Sequence, residues 1–128
     1  MNKAILVARI LLGALFAFSG LNSILHFISP APPPGDAGIY MGILLNHHIF
    51  NFIGLLMLVA GILLLVGRFV PLALVLLGPI LVNILLFHIF IEPRGLVAGC
   101  IAAAVEVFLI FAYRKSFRGL FDAAPELV

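Results

Sequence analysis

The sequence predicts an all-α integral membrane protein, a single domain built as a bundle of four transmembrane helices with both termini cytoplasmic. Three observations predict it. Of 128 residues, 65% are hydrophobic and 9% charged, with a mean hydropathy of +1.34, whereas soluble domains are about half apolar and about a quarter charged. Seven basic and five acidic residues are too few to coat a domain of this size in water. The apolar residues fall into four stretches close to the ~20 residues that a spanning helix needs. Finally, Lys3, Arg9, Arg68, Arg114, Lys115 and Arg118 fall on one side of those stretches and Arg94 alone on the other. Short segments rich in Lys and Arg stay cytoplasmic.

The first span is residues 4–28, whose strongly polar positions are Arg9, Ser19, Asn22, Ser23 and His26. A secretory signal is the alternative for this stretch, because Lys3 precedes an apolar run and Ala17-Phe18-Ser19 has the small-x-small form of a cleavage site. Arg9 interrupts that run, and hydrophobic sequence continues well past the site. Residues 29–38 contain Pro30, Pro32, Pro33 and Pro34. Proline lacks the N–H and the φ freedom of a helix, so this is a loop outside the hydrocarbon. Residues 39–45 are too short to cross and form an interfacial helix. The second span is 49–66. After Gly67-Arg68, Pro71 sits in the first turn of the third span, 70–91, where its missing donor costs nothing. Pro79 lies deeper, where it removes a hydrogen bond from the Val75 carbonyl and predicts a kink. The turn Glu92-Pro93-Arg94 leads to the fourth span, 95–113, and the tail from Ser116 reads as mixed and partly disordered.

Several function classes are excluded. The formal charge is +2, but no basic run interleaved with aromatics tracks a nucleic-acid backbone. A lone Cys100 builds neither an intrachain disulfide nor a thiolate-rich metal site. No nucleophile-base-orienter set, phosphate-cradling glycine loop or metalloprotease motif is present, which argues against an autonomous hydrolase.

Membrane helices associate through small residues and interhelical polar contacts. Gly95, Gly99 and Ala103 recur every four residues in the fourth span, and Glu106 belongs to the same stripe. Gly13, Ala17 and Gly20 form a stripe in the first span, with Arg9 four residues before Gly13. Both charged residues should therefore face inward. At about 1.5 Å per residue, Glu106 lies roughly 16 Å below the outer boundary and Arg9 roughly 7 Å above the inner one. A long guanidinium bridges the remainder, so the two are expected to pair. The alternative is a neutral, hydrogen-bonded Glu106 with Arg9 reaching cytoplasmic water.

Uncharged polar side chains collect at the outer side. Asn22 with His26, His47 with Asn51, and His88 with Glu92 are i,i+4 pairs that share helix faces, and Asn83 lies in the same half. Asparagine in hydrocarbon needs a partner, so Asn22, Asn51 and Asn83 should face one another or a polar ligand. An interhelical clamp accounts for them equally well. His47 and His48 point about 100° apart on a helix and cannot both face one core. His26 with His88 is the better pair for haem, though no attachment motif supports it.

Some of these segments resemble a known family. They are Arg9-Ile10-Leu11-Leu12-Gly13 with Phe18-Ser19-Gly20-Leu21-Asn22, Gly61-Ile62-Leu63-Leu64-Leu65 with Arg68-Phe69-Val70-Pro71-Leu72-Ala73-Leu74, and Gly78-Pro79 through Val82-Asn83-Ile84 to Phe87-His88. Over nearly the whole chain the sequence resembles the DoxX family of small bacterial four-helix membrane proteins. The resemblance implies a bacterial inner-membrane setting and an association with quinone-linked oxidoreductases or redox-stress systems. Similar members tend to carry a glutamate four positions before the glycine matching Gly61, where this chain has Met57.

The expected function is therefore a quinone or lipid-like ligand site formed by Asn22, His26, Asn51, Asn83 and His88. The protein would serve as a membrane subunit of a redox system beside a redox partner, with Glu106, paired with Arg9, as the proton carrier. Quinone sites combine an apolar slot with hydrogen-bond donors, which His and Asn supply at membrane depth. Alternatives are a non-enzymatic membrane scaffold or assembly partner, a haem-binding bundle, and transport. Four spans without inverted halves give transport little support.

Overall fold

The computed structural model describes residues 2–128 and is helical throughout its ordered elements. They are α1 (Lys3–Leu25), α2 (Asp36–Asn46), α3 (Ile49–Val66), α4 (Val70–Phe90), α5 (Leu96–Ala112) and a 3-10 segment (Arg114–Phe121). α1, α3 and α4 are each long and apolar enough to cross a membrane. The 17-residue α5 qualifies together with the 3-10 segment, from which it is bent by 83°. The chain is thus a multi-pass membrane protein by the length and composition of its helices.

Local chemistry sets the helix ends. Asn2 caps α1, its Oδ1 accepting from the Ala4 N–H at 2.8 Å, which satisfies one of the four unpaired first-turn amides. α1 stops at Leu25, three residues short of the expected end. His26 turns left-handed there, with φ 56°, and its N–H donates to the Asn22 carbonyl. The Asn22 side chain then clasps Ile28, accepting from its N–H at 2.8 Å and donating to its carbonyl at 3.1 Å. α2 is longer than the expected 39–45, because Asp36 extends it into the first turn, where an acid favours the helix dipole. Gly67 closes α3 at φ 74°, its N–H bonded to Leu63 O, a conformation open to glycine at no steric cost. The tail also departs from expectation. Residues 114–121 are ordered as the 3-10 segment and bury Phe117 in the core.

The four long helices close a ring in the order α1, α3, α4, α5, with α5 returning to α1. α1 and α3 pack most intimately, and glycine is the reason. A Cβ on Gly20 would lie 2.5 Å from Leu58 N and would also meet the Gly54 carbonyl. One on Gly61 would lie 2.7 Å from both Ala17 Cα and Gly13 O. Gly13 and Gly20 on α1 therefore oppose Gly61 and Gly54 on α3 in antiparallel register, two pairs seven residues apart. Such contact between backbones lets dispersion act over the whole seam, which matters because lipid supplies no hydrophobic drive between helices. Of the expected α1 stripe, Gly13 and Gly20 are buried and Ala17 half-buried. On α5 the buried line runs through Gly99, Ala102, Glu106 and Leu109, so Ala102 takes the place expected of Ala103.

Leu64, Leu74, Leu77 and Leu109 are the largest fully buried side chains. Around them, Phe18, Phe52, Val97, Val107 and Phe111 point outward and stay more than half exposed. Soluble monomers do not expose apolar surface on this scale.

Candidate functional site

α2 does not cross. It leans on α3 and roofs a cavity of about 550 Å³ between α2, α3 and α4, within the range of small-molecule pockets. Its walls are nearly all apolar. α2 contributes Tyr40, Met41 and Leu44, α3 contributes Phe50, Ile53 and Met57, and α4 the face running from Pro79 to His88. Pro79 sits within α4 and lines this space.

The polar groups of the cavity are few. Asn83 Nδ2 donates to the Tyr40 hydroxyl at 3.1 Å, tying α4 to α2. That bond uses one of two amide donors, and among the described residues nothing donates to Asn83 Oδ1. Tyr40 stacks on Phe87, with centroids 5.3 Å apart and planes at 30°, and Phe87 meets His88 edge-on at 5.1 Å. His88 Nδ1 lies 2.9 Å from the Glu92 carbonyl oxygen. A carbonyl only accepts, so Nδ1 carries the hydrogen, and in the neutral ring Nε2 is left as the acceptor. The ring lies against Gly95, where a Cβ would come 2.8 Å from His88 Cε1. Glycine at φ 94° is what leaves room for the imidazole.

The five residues expected to share one pocket do not share it. Asn83 and His88 line this cavity. Asn22 and His26 line a second one of about 320 Å³ beneath the proline-rich loop. Asn51 is among the lining residues of neither. Met41 of α2 and Phe50 of α3 line both cavities and stand between them. Asn22 is committed to its Ile28 clasp. His47 and His48 stand exposed in the turn between α2 and α3 rather than on a helix, His48 with φ 61°. His47 and Asn51 therefore share no helix face.

Arg9 and Glu106 are both buried, 8% and 4% exposed, as their stripes predicted. No hydrogen bond joins the two. Both Glu106 carboxyl oxygens lack a hydrogen-bond partner among the described residues. The Arg9 guanidinium lies instead at the end of α3, where a Cβ on Gly67 would fall 2.6 Å from Nη1. The carbonyls of a helix C-terminus carry negative partial charge, which draws a cation there, and a long side chain can reach toward the helix ends. Glu106 lines neither of the two cavities described.

Sequence reasoning missed Tyr40 and Phe87, which shape the polar corner of the larger cavity. A tyrosine in the short apolar segment before Asn46 was the available signal, since a Tyr hydroxyl among apolar side chains seeks a partner.

Beside His88, Glu92 and Arg94 form a two-pronged ion pair, Nε–Oε1 at 2.9 Å and Nη2–Oε2 at 3.0 Å, with the Arg94 N–H also on Oε1 at 3.2 Å. The side-chain bond from Arg94, then its backbone N–H, hold the Glu92 carboxyl down to about 2 from an ordinary 4.5. The folded value lies below the unfolded one, so the turn's contribution is complete above 4.5 and is lost as pH falls from there toward 2. NMR titration of the Glu92 side-chain carboxyl should give a midpoint near 2. Arg94→Gln should return it to the usual carboxylate range. An unchanged midpoint in the variant would contradict the assignment.

Neither family models, nor curated proteins, nor solved structures give a match to this chain.

Proposed function

We propose that the chain is a DoxX-like protein of a bacterial cytoplasmic membrane, with four spans and both termini inside. In this reading it holds a quinone or similarly built lipid-like ligand between α2, α3 and α4 as a membrane subunit of a redox system. One observation carries the reading: the Tyr40–Asn83 hydrogen bond stands in a largely apolar cavity beside an aromatic stack. A quinone head is flat and carries carbonyls, and its tail is hydrocarbon. The Tyr40 O–H suits a carbonyl, and Asn83 Oδ1 or His88 Nε2 suits the hydroxyl of the reduced ring. The apolar walls suit the tail.

The topology rests on the basic residues. Antiparallel α1 and α3 put Arg9 and Arg68 at one end of the bundle, and the resemblance supplies the bacterial setting. Met57 faces the cavity where similar family members carry a glutamate, so Tyr40 and His88 are the titratable groups available to a ligand there. Glu106 remains a candidate proton carrier within the bundle, offset from the cavity. The haem reading has less support, since His26 and His88 line separate spaces.

The chain has no Trp and two Tyr, so Tyr113→Phe leaves Tyr40 as the sole strong fluorophore. Titrating that variant with a short-chain ubiquinone in detergent should quench Tyr40 saturably. Adding Asn83→Leu should weaken binding by about fivefold, the worth of one hydrogen bond at about 1 kcal/mol net. Quenching that rises without saturation, equally in both proteins, would mean that the quinone partitions into detergent and does not enter the cavity.

A further inference from the structure

We infer that the end of α5 and the 3-10 segment after it form a binding site for one anionic glycerophospholipid. α5 ends at Ala112, and the chain turns through 83° immediately after it. Arg114–Phe121 is thus laid across the end of the bundle, with Phe117 anchoring it in the core at 7% exposure. The bend leaves a groove of about 470 Å³. Val107, Ile110 and Phe111 form its α5 wall and Phe117 and Phe121 the other, with Arg114 and Arg118 at the rim. Apolar walls under a pair of guanidinium groups match an acyl chain under a phosphate.

The chemistry is complementary in detail. Arg114 is held in place, its Nη1 donating to the Phe111 carbonyl at 3.0 Å and its guanidinium standing 4.4 Å from the centre of the Phe111 ring. One of its five N–H donors is used there, and the rest can reach a phosphate. No hydrogen bond or ion pair holds Arg118 among the described residues, and no acidic residue lines the groove. The nearest acid in sequence, Asp122, has its Oδ1 turned to the Ala124 N–H at 3.0 Å. Arg binds phosphate in a planar, two-pronged manner, and basic pockets at the level of the headgroups favour anionic lipid. Phe121 and Leu120 are 84% and 69% exposed, an expensive arrangement in water and a favourable one against acyl chains.

Native mass spectrometry of the full chain, released from nanodiscs of phosphatidylcholine mixed equally with phosphatidylglycerol, tests the assignment. The wild type should retain one phosphatidylglycerol in preference to phosphatidylcholine. Arg114→Gln with Arg118→Gln should lower that retention roughly 30-fold at low salt, because neither guanidinium is then left to hold the phosphate. Arg118→Gln alone, which breaks no internal bond, keeps the test open if the double variant fails to fold, and it should give roughly a fivefold loss. Lys115→Gln, a charge beside the groove and not lining it, should leave the preference intact. Equal retention of both lipids, equal losses for Lys115→Gln and Arg118→Gln, or displacement of the lipid by inorganic phosphate would each overturn the site.

Discussion

Replacing Gly61 by leucine is expected to destabilise the bundle by about 3 kcal/mol or more, the upper end of what overpacking costs. Even a Cβ at this position would overlap Ala17 and the Gly13 carbonyl. Those are backbone atoms of α1, so no side chain can swing aside to make room. α1 and α3 would have to separate along their length and give up the dispersion attraction at both glycine pairs. Gly61→Ala should already cost about 1–3 kcal/mol. Gly42→Ala is the matched control. It lies in α2 with nothing within 4 Å of the added carbon, so the better helix propensity of alanine should leave stability unchanged or raised by up to about 1 kcal/mol. Denaturation in mixed micelles, followed by circular dichroism, reads all three. Equal stability of Gly61→Leu and wild type would show that the seam is not the contact described.

Glu106→Leu is expected to stabilise the protein by about 1–3 kcal/mol, the cost of leaving a buried polar group without partners. Both carboxyl oxygens lie inside the bundle with no hydrogen-bond partner among the described residues. An apolar side chain of similar volume removes that burden without opening a cavity. Glu106→Gln keeps a polar terminus in the same place and should gain little. The same melting experiment separates the two variants. Destabilisation by Glu106→Leu would mean that the carboxyl has a partner holding it in the membrane, such as a bound water or ion. Stabilisation joined to loss of quinone-linked turnover would mark Glu106 as a group kept for function at the expense of stability.

The resemblance to the DoxX family and the cavity between α2, α3 and α4 bear on each other at Met57. A carboxylate there would face the cavity. The thioether found instead makes the wall more apolar, and in the proposed quinone reading it leaves Tyr40 and His88 as the groups for proton exchange with the ligand. The polar corner is also linked to the Glu92–Arg94 turn, because His88 Nδ1 donates to the Glu92 carbonyl. The titration of that turn and the orientation of the imidazole therefore share one short segment of backbone.

Composition and patterning alone settle the solvent and the elements. A chain this apolar has one stable outcome, helices in lipid, and the lengths of the runs with Gly67, Pro71 and Gly95 at their edges place each helix to within a few residues. Periodicity also puts Arg9 and Glu106 on inward faces, because an α-helix fixes which positions share a side. What periodicity cannot carry is the distance between helices or the position of a short element that does not cross. Gly54 and Gly61 match the spacing of Gly13 and Gly20, yet their opposition depends on the register of two helices distant in the chain. That register is a property of the folded bundle. So is the placing of α2 against α3, where Met41 and Phe50 part the cavity of Asn22 and His26 from that of Asn83 and His88, and so is the reach of the Arg9 guanidinium to the end of α3. Each of these arrangements is set by contact between residues distant in the chain, which leaves no mark in hydropathy.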